Sequence, residues 1–197
     1  MPRSETLRPR KLPAQARAIE TVDAILDAAA ALLVETGVEG ASTNAIAERA
    51  GVNVASLYSY FPNKYSVLAA LCDRMQTRQR GLWSELDADR SLESVIDSAV
   101  DETFAFVLRE PGFVELADAV RMVPELRELG QQAHAQAAVA LRERMAARGG
   151  SLPGTAELET RAAVIVETAS AVLALARRST PRRRKHVIGA LKELLVS

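Results

Sequence analysis

Apolar side chains recur along the chain at intervals of three and four residues, and no stretch alternates as a strand would. Val22, Ile25, Leu26, Ala29, Leu32 and Leu33 set the first stripe and predict an amphipathic helix over 18–36, closed by Gly37. Two short helices are expected next, over 43–49 and 54–60. Pro62-Asn63 then breaks the chain, and a longer helix runs from Lys64 to Ser84. Beyond Arg90 the helices lengthen: Leu92, Val95, Ile96, Ala99, Val100 and Val107 share one face. Pro111-Gly112 is a break, a short helix reaches Met122, and Pro124 opens a helix that runs to Arg148. Gly149-Gly150-Ser151-Leu152-Pro153-Gly154 is a loop. A helix over 155–178 is apolar nearly all round between Ala162 and Ala176, and Pro181 ends it. The last helix carries Val187, Ile188, Leu191, Leu194 and Leu195 on one stripe. The pattern predicts an all-α fold of about nine helices, with no internal repeat and no long linker.

Composition agrees with helices: the chain is 48% hydrophobic, rich in alanine and leucine and poor in aromatics. Its 197 residues suit one large domain, or a small domain with a medium one. The single cysteine, Cys72, allows no internal disulfide and points to a reducing cytoplasm. No uncharged apolar run approaches ~18 residues, so neither a signal peptide nor a membrane span is expected. The net charge of zero argues against nucleic acid until its distribution is seen. Residues 1–17 carry Arg3, Arg8, Arg10, Lys11 and Arg17 against Glu5 alone. Residues 81–160 hold 15 acidic and 7 basic side chains, and 161–197 reverse this with 8 basic and 2 acidic. A basic end on a neutral chain fits a protein that meets phosphate at one end and does something else in its middle.

The most specific segment is Ser42–Lys64, STNAIAERAGVNVASLYSYFPNK. Thr43 is expected to cap the first short helix and Asn53 the second. Ile46 and Ala50 face inward, Ala47 is small where two helices cross, and Gly51 fills a turn that needs positive φ. Val52 and Leu57 plug the angle between the helices, and Phe61 holds the second of them against the first long helix. Small residue, glycine four on, apolar residue six later is the spacing of a helix-turn-helix.

Together with Ile25-Leu26-Asp27-Ala28-Ala29, Gly37, Thr43, Ile46-Ala47, Ala50-Gly51-Val52, Leu57-Tyr58, Tyr60-Phe61, Lys64 and Leu68, this run closely resembles the N-terminal domain of the TetR/AcrR family of bacterial transcription regulators. The resemblance covers 22–70, while the later helices fit the family's variable domain only in number and order. The charge distribution marks 1–17 as a basic flexible arm, and the resemblance implies a DNA-binding domain over 18–66 and an effector-binding and dimerisation domain over 67–197. The resemblance also implies that Thr43 and the segment from Asn53 to Tyr60 face double-stranded DNA, with Tyr58 and Lys64 on phosphate. A phenol donates to a phosphate oxygen and a lysine at a helix start adds charge beside oriented N–H groups, so the chemistry is consistent. Tyr58 as a half-buried packing residue is the competing reading.

Base readout is thin, because this segment lacks arginine, lysine and glutamine. Asn44, Asn53, Ser56 and Ser59 are its polar candidates, and Val54 and Ala55 suit thymine methyl groups. Phosphate contacts and DNA shape are left to carry much of the affinity. Arg8, Arg10 and Lys11 form either a minor-groove arm or a solubilising tail.

A helix-turn-helix reads a half-site, so a homodimer on a palindromic operator is expected. The resemblance places its contacts in the last two helices, about 155–197. The alternative is that 162–176 is simply monomer core. Glu167 is either a pocket anion or a rim residue. The run Arg182-Arg183-Arg184-Lys185-His186 opposes its helix dipole and needs a local partner, such as an acidic side chain from 81–160. If the family pattern holds, the middle helices enclose a small, largely apolar effector. Trp83, Phe104, Phe106, Phe113, Met122 and Leu126 would line its pocket, with Asp101, Arg121 and His134 as anchors.

The leading function is a cytoplasmic repressor released by that effector, the alternative an activator or effector-independent binder. An all-α enzyme is disfavoured: His134 and His186 are far apart, and no metal spacing, phosphate loop or paired-carboxylate motif is present. No cofactor or metal is expected.

Overall fold

The computed structural model describes residues 7–11, 13–84, 92–147 and 154–196. Among them are nine α-helices and no strand, with a short 3-10 turn over Pro124–Leu126, the all-α fold that the periodicity predicts. The helices are α1 (Ala16–Gly40), α2 (Thr43–Arg49), α3 (Val54–Tyr60), α4 (Lys64–Ser84), α5 (Leu92–Arg109), α6 (Phe113–Met122), α7 (Arg127–Ala147), α8 (Thr155–Arg177) and α9 (Pro181–Val196). Two boundaries differ from expectation. Gly37, at φ 68, does interrupt α1, but helix resumes for one more turn to Gly40. Pro124 opens a 3-10 turn over Pro124–Leu126 rather than α7 itself.

The described residues fold as two compact units. The first combines the described residues up to Arg78 with Val107–Gly130. Its core is built by Ile25 and Leu33 of α1, Ile46 of α2, Leu57 of α3, and Leu68 and Leu71 of α4. Leu116, Ala119, Leu126 and Leu129 complete that core from the later segment. The compact units therefore do not follow the sequence division at 66/67. Besides these core residues, Gly112, the N-cap of α6 at φ 75, packs closely against Ala30 of α1. A Cβ at Gly112 would stand 2.8 Å from the Ala30 carbonyl oxygen. Arg78 reaches Glu110 at 2.6 Å, and Arg74 of α4 reaches Asp27 of α1 at 2.8 Å.

The second unit combines the described residues between Gln79 and Phe106 with those from Gln131 onward. Val100 and Phe104 of α5 meet Leu173 and Ala176 of α8 and Leu191 of α9 in its core. Lys192 of α9 lies 2.9 Å from Asp101 and 3.3 Å from Asp97. Burial works against the Lys192 charge, yet hydrogen bonds to Asp101 and Asp97 outweigh it and raise its pKa. The basic run at the start of α9 finds a partner of a different kind from the acidic one expected. Arg184 donates to the carbonyls of Ala176, at 3.3 Å, and Ser179, at 3.5 Å, and its guanidinium lies over the Phe104 ring. The carbonyl-rich C-terminal end of α8 supplies the negative end of a dipole, so no carboxylate is needed there.

Candidate nucleic-acid interface

The α2–turn–α3 segment is built by local rules. Ser42 has extended backbone angles, and its Oγ accepts from the Ala45 N–H at 3.2 Å. Ser42 is thus the N-cap of α2, one residue before the threonine expected to fill that role. As first residue of the helix, Thr43 keeps its hydroxyl for another use: Thr43 Oγ1 and the Tyr58 hydroxyl are 3.0 Å apart and share a hydrogen bond. In the turn, Gly51 has φ 66 and the Val52 N–H donates to the Ala47 carbonyl at 3.0 Å. This close return leaves no room for a large side chain at Ala47, which is fully buried beside Ile46. Asn53 caps α3, its Oδ1 accepting from the Ala55 N–H at 2.8 Å. Leu57 and Phe61 turn the inner face of α3 into the core.

The outer face is what remains. Asn44, Asn53, Ala55, Ser56, Tyr58 and Ser59 are exposed, and Thr43, Val54 and Tyr60 are half-buried. Ser59 is less free than the sequence suggests, since its hydroxyl donates to the Ser56 carbonyl at 2.6 Å. Tyr58 is exposed, whereas Tyr60 is half-buried with its ring tilted against Phe61.

Lys64 opens α4 beside a reciprocal cap: Asn63 Oδ1 accepts from the Ser66 N–H at 2.9 Å, and Ser66 Oγ accepts from the Asn63 N–H at 3.3 Å. Its ammonium donates to the Val38 carbonyl at 3.2 Å and lies 3.6 Å from the Glu39 carboxylate. Arg49 is held by Glu35 through two hydrogen bonds of 2.5 and 2.6 Å. The Arg49 guanidinium holds the Glu35 carboxyl below the usual carboxylate range, and Glu35 in turn raises the Arg49 pKa.

The segment that carries Leu7 and Arg10 is part of this site. Leu7 is 1% exposed in the first unit's core. The Arg10 N–H donates to the Tyr60 carbonyl at 2.7 Å, and its guanidinium donates to the Tyr58 carbonyl at 3.1 Å. Arg8 and Lys11 are exposed. Sequence reading missed Leu7, an isolated leucine among prolines and arginines that belongs to no periodic stripe.

The residues expected around an effector fall into both units. Phe113, half-buried against the first core, exposed Arg121 and Met122, 79% exposed, belong to the first unit, as does fully buried Leu126. Buried Phe104 and Phe106, exposed Asp101 and half-buried His134 belong to the second. His134 Nδ1 lies 2.8 Å from Glu167 Oε1, so the α8 carboxylate has an imidazole partner on α7. The side chain of Trp83 lies outside the described residues.

Two short helices crossing at a glycine turn, the second with a buried apolar face and an exposed polar one, define a helix-turn-helix DNA-binding unit. Comparison with known proteins agrees. Residues 25–71 match the family described as bacterial regulatory proteins, tetR family, and 90–197 match the tetracyclin repressor-like C-terminal domain. The HTH-type transcriptional regulator TtgW of Pseudomonas putida is 36% identical over 93 residues, 47% of this chain and 68% of that protein. The A-factor receptor protein of Streptomyces griseus is 34% identical over 96 residues, 48% of this chain but only 32% of its own length. A TetR-family transcriptional regulator of Streptomyces coelicolor has a solved structure that is 29% identical, with a TM-score of 0.69 over 89% of this chain and 95% of that one. The chain belongs to the tetR family of bacterial regulatory proteins: it is a DNA-binding transcriptional regulator, not an enzyme. No helix among the described residues is long and apolar enough to cross a membrane.

Proposed function

We propose that two copies pair through α8 and α9, bind a palindromic operator with α3 in the major groove, and repress transcription until a small, largely apolar effector releases them. The observation that carries this reading is a set of apolar side chains left uncovered on the last two helices. Val164, Ala171 and Leu175 lie on one exposed face of α8, with Val164 59% exposed, and Glu167 on that face is paired with His134. On α9, Ala190 and Leu194 are also exposed, Leu194 at 65%. Exposed apolar side chains on a helix pair favour self-association, and a twofold axis lets each face cover its own copy. Such a dimer would present two recognition helices about one helical turn of DNA apart. Phe104 and Phe106 in the second unit supply the apolar character of the effector reading, and a relative named as a receptor supports it. The effector acts through its different affinity for the two dimer states.

Sedimentation tests the pairing. The parent protein should run as a dimer that binds a selected palindromic duplex with two copies per site. Leu175→Glu combined with Leu194→Glu should raise the dimer dissociation constant more than about a hundredfold, because each copy would bury uncompensated carboxylates. An unchanged dimer would move the contact away from α8 and α9. Deleting the gene should raise expression of a reporter driven by that duplex, whereas a fall would mean activation.

A further inference from the structure

We infer that Leu7–Arg10 is a clamp on the recognition helix, and that Arg10 serves DNA binding by positioning α3 rather than by contacting DNA. This rests on the assignment of α3 to the groove. With seven residues, α3 is too short to be stable in isolation. The last carbonyls of any helix lack intrahelical donors, and a cation at that end is favourable. Yet α3 has no basic residue in its own last turn. Arg10 supplies both needs from 48 residues away: its guanidinium takes the Tyr58 carbonyl. Its backbone N–H takes the Tyr60 carbonyl at 2.7 Å.

The clamp has an anchor. Leu7, three residues before Arg10, is buried in the same core as Leu57 and Phe61, the inward-facing residues of α3 and its C-cap. Leu7 fixes where the segment runs, and Arg10 then meets the carbonyl end of α3. The Tyr58 whose backbone Arg10 holds is the residue whose side chain bonds Thr43 of α2. One end of the helix is therefore tied to α2 through a hydroxyl pair and to the Leu7–Arg10 segment through a guanidinium, which fixes the angle of the outer face. A minor-groove role for Arg10 would require its guanidinium to leave this carbonyl.

Positioning and contact make opposite predictions for the salt dependence of binding. The intact parent protein, Leu7→Ala and Arg10→Ala are titrated with a duplex that the parent selects from a randomised pool, over a series of salt concentrations. Amide exchange is followed in the same proteins without DNA. The clamp predicts that Arg10→Ala binds about tenfold more weakly, the effect of losing one charge-assisted hydrogen bond, that Leu7→Ala binds more weakly because the segment loses its anchor, and that both keep the salt slope of the parent. It also predicts faster exchange for amides 57–61, while those of 43–49 stay as in the parent. Leu7 carries no charge, so its loss cannot mimic a lost phosphate contact. A salt slope reduced by about 0.9 per chain in Arg10→Ala would make Arg10 a phosphate contact and overturn the clamp. Parent-like exchange of 57–61 in Arg10→Ala would overturn it too. That variant alters an exposed side chain, so it remains decisive if Leu7→Ala fails to fold. If the parent binds no duplex, the groove assignment fails, and the exchange measurement alone decides the clamp.

Discussion

Phe61→Ala is expected to cost about 3–5 kcal/mol of stability and, with it, DNA binding. The ring is buried, with Phe61 at 1% exposure, and the residue is the C-cap of α3, its backbone N–H donating to the Leu57 carbonyl. It shares a core with Leu57, Leu68 and Ile25, so its removal leaves a hole where three helices meet. Domains of this kind hold only about 5–15 kcal/mol in total, and the loss takes a large share of it. Urea unfolding measures the change directly. The neighbouring Tyr58→Phe makes the contrast, since an exposed hydroxyl should change the unfolding midpoint little. A Phe61→Ala loss below about 1 kcal/mol would mean that the site collapses to fill the hole, and that Phe61 does not hold α3 in place.

Gly112→Ala should cost about 2–4 kcal/mol, from a positive φ and a backbone collision acting together. Gly112 has φ 75, and its added Cβ would meet the Ala30 carbonyl oxygen at 2.8 Å and Ala30 Cα at 3.0 Å. Backbone cannot rotate away as a side chain can, so α6 must lift from α1. Gly51→Ala is the internal comparison. Gly51 has φ 66 but open space where its Cβ would go, so it should lose only about 1 kcal/mol. Thermal unfolding of the two variants separates the terms. Equal losses would show that the α1–α6 contact is soft.

The helix-turn-helix was legible because its rules are local. Gly51 needs positive φ, Asn53 caps the helix that follows it, and both are visible from residue type and spacing. The cap of α2 was misassigned because Ser42 and Thr43 are adjacent hydroxyls with equal capping chemistry. Backbone angles and the reach of Tyr58 decide between them, and neither is written in the local sequence. Gly112 reads as a breaker, whereas in the fold it approaches Ala30 closely within the unit that 107–130 joins. Leu7 has no periodic partner, and Arg184 reads as one member of a basic run until the carbonyls of α8 lie beside it. These are contacts between distant parts of the chain, for which hydrophobic periodicity carries no signal. The effector side chains are hardest to read for the same reason, since any pocket is assembled from residues of several helices.

The most direct test of α3 and Lys64 as the DNA-facing surface is a salt titration of binding to the selected duplex. It uses the parent protein, Tyr58→Phe and Lys64→Ala. Lys64 is held by the Val38 carbonyl and lies near Glu39, so a phosphate must take over a cation already positioned at the start of α4. Lys64→Ala should weaken binding on every sequence and lower the salt slope by about 0.9 per chain. Tyr58→Phe should weaken binding with no change of slope. Parent-like affinity and slope in both variants would place the DNA contact elsewhere on the molecule.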